Sequence, residues 1–357
     1  MSRYASALMT PPALALVLAL GGACGGDTSP HSAAAPVPAE GTATKTDGSA
    51  APVEGREGPP TVSPSRTAAV TSGGSAPPTK VPAAARVVAI GDVHGDLEVT
   101  RTVLRLAGAI DDKDAWIGGE LVVVQTGDQL DRGDGEREIL DLLQRIRDEA
   151  KKTGGAVHIL NGNHELMNAA GDLRYVTAGG MLDFSDVPGV DIADPRGQSV
   201  APQMRGRFLS FMPGSVYGRR LAERNVIQQV GDTVFVHGGV LPEHVRYGIE
   251  RINTETQAWL RGEGPPPASV VADEQSPVWT RRYSDNPSPA DCAVLDEALA
   301  AIPAKRMVVG HTVHTEGITS ACDDKVWLID VGMASYYGGH PEALEIVGDQ
   351  VRVLRPE

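Results

Sequence analysis

No stretch of 18 or more apolar residues occurs in this 357-residue chain, which excludes a polytopic membrane protein. Cysteine is scarce, at three residues, too few for a disulfide scaffold or a cysteine-only metal site. Aromatic residues make up 4%, so platforms for stacking a nucleobase are few. Positive charge is in deficit: 32 Lys and Arg face 46 Asp and Glu, a formal net charge of −14. That balance argues against capture of nucleic acid or anionic lipid by a global positive field. What the chain has is a hydrophobic share of 41%, ordinary for a packed core.

The first 24 residues carry Arg3, an apolar run over 13–20, and small residues up to Cys24. This is the layout of a secretory signal, too short to serve as a permanent membrane helix. The small residues before Cys24 resemble a bacterial lipoprotein cleavage site, although Gly21 stands where such sites carry leucine. A lipid on Cys24 is the expectation, with ordinary cleavage and an uncleaved anchor as alternatives. Residues 25–85 contain ten of the 26 prolines and no Leu, Ile, Met or aromatic residue. With so little to bury they read as a tether, placing the globular domain at 86–357 and the protein outside the cytoplasm, facing the periplasm or cell surface.

Within 86–357, residues 86–91 (RVVAIG), 120–127 (ELVVVQTG) and 156–162 (AVHILNG) read as buried strands ending at glycine. Ile139, Leu142, Leu143 and Ile146 mark an amphipathic helix over 137–152. Further strands are expected at 226–230, 233–236, 307–309 and 326–331, with a hairpin of 343–347 and 350–354 around Gly348 and Asp349. The Gly-, Pro- and Asp-rich segments 172–215 and 262–290 read as loops or a partial lid. The alternation of strand and helix indicates an α/β sandwich.

Five polar clusters follow these strands: GDVHG (91–95), GDQLDRG (127–133), NGNHE (161–165), HGG (237–239) and GHT (310–312). Loops at the carboxyl ends of strands converge in open α/β sheets, so residues about 35 to 75 positions apart can meet. Histidines, carboxylates and an amide in one place suit two divalent first-row metals, which activate water and remove the need for a covalent nucleophile.

The order of these motifs resembles the calcineurin-like metallophosphoesterases, in the phosphoprotein phosphatase branch. GDQLDRGD and QVGDTVFVHGG (229–239) look most like the Shewanella-like protein phosphatases. The resemblance implies a sandwich of two mixed β-sheets flanked by helices, and a phosphatase acting on phosphoproteins. It implies a first metal on Asp92 and His94, a bridging Asp128, and a second metal on Asn163, His237 and His311, with Mn²⁺ expected and Fe or Zn as alternatives. His164 would be the proton donor to the leaving group, oriented by Asp131, while Arg132, Asn163 and Arg281 would hold the phosphate; Arg281 is preferred over Arg282 by register. Two departures stand out. Asn161 replaces the arginine that precedes GNHE in the eukaryotic Ser/Thr enzymes, and Tyr336 and Tyr337 do not align with their C-terminal aromatic segment.

Other residues promise less. His314 lies three positions from His311, not the two of a GHxH pair, and reads as a supporting or surface residue. His158 reads as a core histidine; His31, His244 and His340 match no motif. Asp96 and Asp134 read as exposed loop carboxylates, and Asp330 is a candidate to orient a metal-bound imidazole. In an oxidising compartment Cys292 and Cys322 would be either bonded to each other or two free thiols. A second enzymatic reading keeps the metals and takes dinucleoside polyphosphates or other small phosphate esters; a third is a catalytically silent phosphate- or metal-binding protein.

Overall fold

A computed structural model describes residues 77–271 and 273–356. Residues 1–76, with Cys24, His31 and the segments expected to be a secretory signal and a tether, lie outside the described residues. Eleven strands form two sheets: β1 (Lys80–Val81), β2 (Val87–Ile90), β3 (Val122–Gln125), β4 (Ala156–Ile159), β5 (Ile227–Val230), β6 (Thr233–Val236), β7 (Arg306–Val309), β8 (Thr319–Ala321), β9 (Val326–Leu328), β10 (Ala343–Val347) and β11 (Gln350–Leu354). One sheet runs β11-β10-β2-β3-β4 and the other β1-β5-β6-β7-β9-β8. Both are mixed. In the first, β2, β3 and β4 are parallel and the β10–β11 hairpin is antiparallel, as the sequence predicts; in the second, β6, β7 and β9 are parallel.

Strand alternation builds two cores at once. Phe235 and Val308 pack with β2 and β3 in one cluster, while their neighbours Val234, Val236, Met307 and Val309 point the other way into a second. All four residues of β2 are buried, which matches its unbroken apolar run. The helix Glu136–Ala150 places Ile139, Leu142, Leu143 and Ile146 against the first sheet. A helix the sequence reading did not single out, Leu97–Leu106, is capped by Asp96, whose carboxylate accepts from Val99 N at 3.0 Å.

Two expectations are corrected. Residues 77–81 are not tether: β1 pairs in parallel with β5, Gln229 N donates to Thr79 O at 2.8 Å, and Gly231 N to Val81 O at 3.0 Å. Composition hid this because a two-residue edge strand needs no apolar run, only backbone. Segment 172–215 is only partly loop. It holds the helices Ala178–Asp183 and Arg205–Phe211, and Phe184, Phe211 and Tyr217 pack ring to ring at 4.9 to 5.1 Å. Pro195 and Pro202 each open a short helical turn, and Gly179, Gly180 and Gly206 sit within the helices themselves. Segment 262–290 has one helical turn, Ala268–Val271, and buries Val270, Val278 and Tyr283. Cys292 and Cys322 form a disulfide, with Cα atoms 5.2 Å apart.

Candidate dinuclear metal centre

The strand ends bring the predicted residues together. Asp92 follows β2, Asp128 follows β3 and Asn163 follows β4, while His237 and His311 follow β6 and β7 of the other sheet. The loops turn so sharply that His94, Asp128, Asp131, Arg132 and His311 all adopt positive φ, between 37° and 70°. Non-glycine residues in that region are strained by ~1–3 kcal/mol each, and such strain gathers where side chains must be aimed. Glycine is required where loops touch: a Cβ on Gly162 would sit 2.2 Å from Asp128 Oδ1, and one on Gly310 2.3 Å from Asp92 Oδ1.

Asp128 is the centre of the cluster. It forms one group with His94 and His164 and a second with His237 and His311, each with its nitrogen and oxygen atoms within 4.8 Å of one another. Asp128 Oδ2 lies 3.7 Å from His94 Nε2, 3.8 Å from His164 Nε2 and 3.2 Å from His237 Nε2. Asp92 Oδ2 is 3.9 Å from His94 Nε2 and accepts from His311 N at 3.2 Å. Asn163 Oδ1 is 2.8 Å from His237 Nε2.

Backbone carbonyls decide which way the imidazoles point. His94 Nδ1 meets Leu130 O at 2.9 Å, His237 Nδ1 meets Thr126 O at 3.1 Å and His311 Nε2 meets Trp279 O at 3.0 Å. A carbonyl only accepts, so each of these nitrogens carries a proton and the other nitrogen of each ring turns toward the carboxylates. His237 Nε2 thus meets both Asn163 Oδ1 and Asp128 Oδ2, a nitrogen and two oxygens gathered at one point. The donors present therefore fit divalent metals, and the carbonyls supply the outer contacts that orient metal-binding histidines.

Electrostatics agree. Burial drives His94 down to about 4, against the pull of Asp128, and drives His311 far below its ordinary value, aided by His237 and Arg281. Burial, then Asp330 and Asp128, push Asp92 well up, while burial pushes Asp330 to about 6. Burial alone would raise Asp128 too, but His237 and His164 hold it below the usual carboxylate range. Low proton affinity at His94 and His311, beside crowded carboxylates, leaves the pocket short of positive charge.

His164 differs from the other three. Its Nδ1 is 2.5 Å from Asp131 Oδ2. Burial works against its charge, but Asp128 and the bond to Asp131 raise its proton affinity above the ordinary value. Arg132 lies between two tyrosine rings, 4.2 Å from the Tyr175 centroid and 4.8 Å from that of Tyr336, and donates from Nη1 to Tyr336 Oη at 3.0 Å. Tyr337 is 5.4 Å from the His94 ring. The two tyrosines that could not be aligned from sequence therefore stand at the site. A cleft of about 630 Å³ is lined by Asn163, Met167, Tyr175, Trp279 and Arg281. Arg281 faces this cleft, whereas Arg282 is held by Asp291 at 2.9 Å.

Residues 85–314 match the sequence profile of the calcineurin-like phosphoesterases. The chain belongs to that family. It is 41% identical over 301 residues to Shewanella-like protein phosphatase 2 of Arabidopsis thaliana, spanning 75% of this chain and 77% of that protein. Shewanella-like protein phosphatase 1 of Plasmodium berghei is 29% identical over 282 residues, with 76% and 74% covered. Among solved structures, a cold-active protein-tyrosine phosphatase of a psychrophilic Shewanella superposes with a TM-score of 0.62 at 27% identity, covering 79% of this chain and 83% of that one. The protein is accordingly a metal-dependent phosphatase, with His and Asp groups that could hold divalent metals.

Glu165, inside a motif but given no role from sequence, accepts at its carboxylate from the backbone N of Asp128, Gln129, Leu130 and Gly162 at 2.8 to 3.2 Å, locking two motif loops together. Tyr175, Asn168, Glu136 and Arg207 come from segments with no motif. The lesser candidates settle into supporting places. Asn161 Nδ2 donates to Leu221 O at 3.0 Å, a fold contact. Asp330 Oδ1 accepts from Gly332 N at 2.9 Å and neighbours Asp92. His314 N donates to Asp330 O at 2.8 Å. Asp96, read as an exposed loop carboxylate, is instead a helix cap that also accepts from Ser335 N at 2.9 Å; Asp134 accepts from Thr177. His158 is buried in β4, His244 accepts from Leu241 N at 3.0 Å, and His340 is exposed.

Proposed function

We propose that the chain hydrolyses phosphoprotein monoesters at this centre, with Asp92, His94 and Asp128 holding one divalent metal and Asp128, Asn163, His237 and His311 the other. The sharing of Asp128 between two histidine groups beside Arg132 carries this reading. When bound, the metals supply a nucleophilic water at neutral pH and neutralise charge on the phosphoryl oxygens. Arg132 and Arg281 grip those oxygens with planar forks, and Asn163 adds an amide donor. His164 Nε2 gives its proton to the leaving oxygen as the bond from phosphorus to that oxygen breaks, and Asp131 holds the ring for that transfer. The products are a free hydroxyl on the protein and inorganic phosphate.

The protein-phosphatase relatives support a phosphoprotein substrate over a dinucleoside polyphosphate. Mn²⁺ suits the mixed nitrogen and oxygen donors, as do Fe and Zn. The disulfide and the layout of residues 1–24 support export, with a lipid on Cys24 as the only link to a membrane. Turnover of a phosphopeptide panel and of diadenosine tetraphosphate, before and after chelation, tests the reading. We expect phosphopeptide hydrolysis that chelator abolishes and Mn²⁺ restores; full activity in a His164→Ala, Asp128→Ala double variant would contradict it.

A further inference from the structure

We propose that Arg207, in a segment the motifs do not touch, is a positioning residue for the acid pair His164–Asp131. Its side chain is fully buried, against the rings of Phe184 and Phe211 at 5.0 and 5.3 Å. Every donor is engaged. Nε donates to Asn168 Oδ1 at 2.8 Å; Nη1 donates to Gly180 O at 2.9 Å and to Glu136; Nη2 donates to Glu136 Oε1 at 2.7 Å and to Asp131 Oδ1 at 3.1 Å. Glu136 in turn accepts from the backbone N of Asp131. Asn168 Nδ2 donates to Asp131 Oδ1 at 3.0 Å and to His164 O at 2.9 Å.

The pattern on Asp131 is asymmetric. Oδ1 receives both Arg207 and Asn168, which leaves Oδ2 for His164 Nδ1. Two donors on one oxygen fix the carboxylate plane, and the His164 ring takes its direction from that plane. With Nδ1 so held, Nε2 is the nitrogen turned toward Asp128 and the reacting phosphate. Arg207 also supplies the only fully buried cation in contact with the Asp131 and Glu136 carboxylates among the described residues. A lysine ammonium is a point charge and cannot serve these acceptors in one plane.

The inference rests on His164 as the proton donor, so the test uses two substrates that differ in their need for a proton. Phenyl phosphate releases a basic phenoxide; p-nitrophenyl phosphate releases a weakly basic one. His164→Asn should lower kcat on phenyl phosphate by about 100-fold or more and on p-nitrophenyl phosphate far less. Arg207→Lys and Asn168→Ala should skew the ratio of the two rates in the same direction, by about tenfold, with metal content kept. Equal loss on both substrates in these two variants, beside a skewed His164→Asn, would overturn the positioning role and spare the acid assignment. No skew in His164→Asn would overturn both. Arg207→Lys keeps the buried charge and Asn168→Ala keeps Arg207 itself, so a folding failure in one leaves the other to decide.

Discussion

At Gly162 the chain packs two motif loops closer than any side chain permits, and the consequences of that contact are local and sharp. Gly162→Ala would drive a methyl group into Asp128, whose amide N is also only 2.7 Å away, so the backbone must yield. We expect activity to fall by about 100-fold or more while the fold survives, measured as kcat/KM at saturating Mn²⁺ beside the unfolding midpoint. His158 offers a test far from the chemistry. Burial lowers it to about 4 from the ordinary 6.5, so the unfolded chain binds a proton first as the solution is acidified. Its contribution is intact above pH 6.5 and is lost progressively as pH falls toward 4, by up to about 3 kcal/mol. In His158→Val the stability difference between pH 7.5 and pH 5, from urea unfolding, should shrink accordingly. Residues such as Asp92, Asp128 and His164 were legible because each sits in a short string whose glycines advertise a tight turn. Arg207, Glu136 and Tyr175 were not, because their relation to the site exists only after distant helices pack.

Among the elements, buried strands were the easiest to read: β2, β3 and β4 are apolar runs closed by glycine, and their parallel order follows from the intervening helices. β1 had no such signal. It lies beside β5, at the edge of its sheet, and residues 77–79 also satisfy Asn225, Gln228 and Asn253, side chains buried to 1% exposure or less. A chain begun at residue 86 loses these partners and bares the edge of β5. We expect its melting temperature to drop, by the equivalent of ~1–3 kcal/mol, and expect oligomers in light scattering that the chain begun at residue 77 does not form. The helices of 172–215 were hidden for a different reason. Phe184 and Phe211 of the segment meet Tyr217 just beyond it, a tertiary contact that overrides glycine and proline content.

For the molecule as a whole, the decisive fact is that the two sheets contribute different side chains to the same cluster. Asp92, His94 and Asp128 come from one sheet, and His237 and His311 from the other. Metal binding therefore counts against unfolding of both halves together. At free Mn²⁺ near one hundred times its dissociation constant, each site should add about 2.7 kcal/mol to stability. Calorimetry with and without chelator should show the metal-loaded protein melting several degrees higher, and an unchanged midpoint would count against a metal-clamped pair of sheets. This arrangement gives the ions a second occupation, as rivets. When the surroundings run short of metal, the enzyme would do more than fall silent: it would loosen along its central seam and become easier prey for proteases, so that supply of the ion sets how long each copy lasts as well as how fast it works.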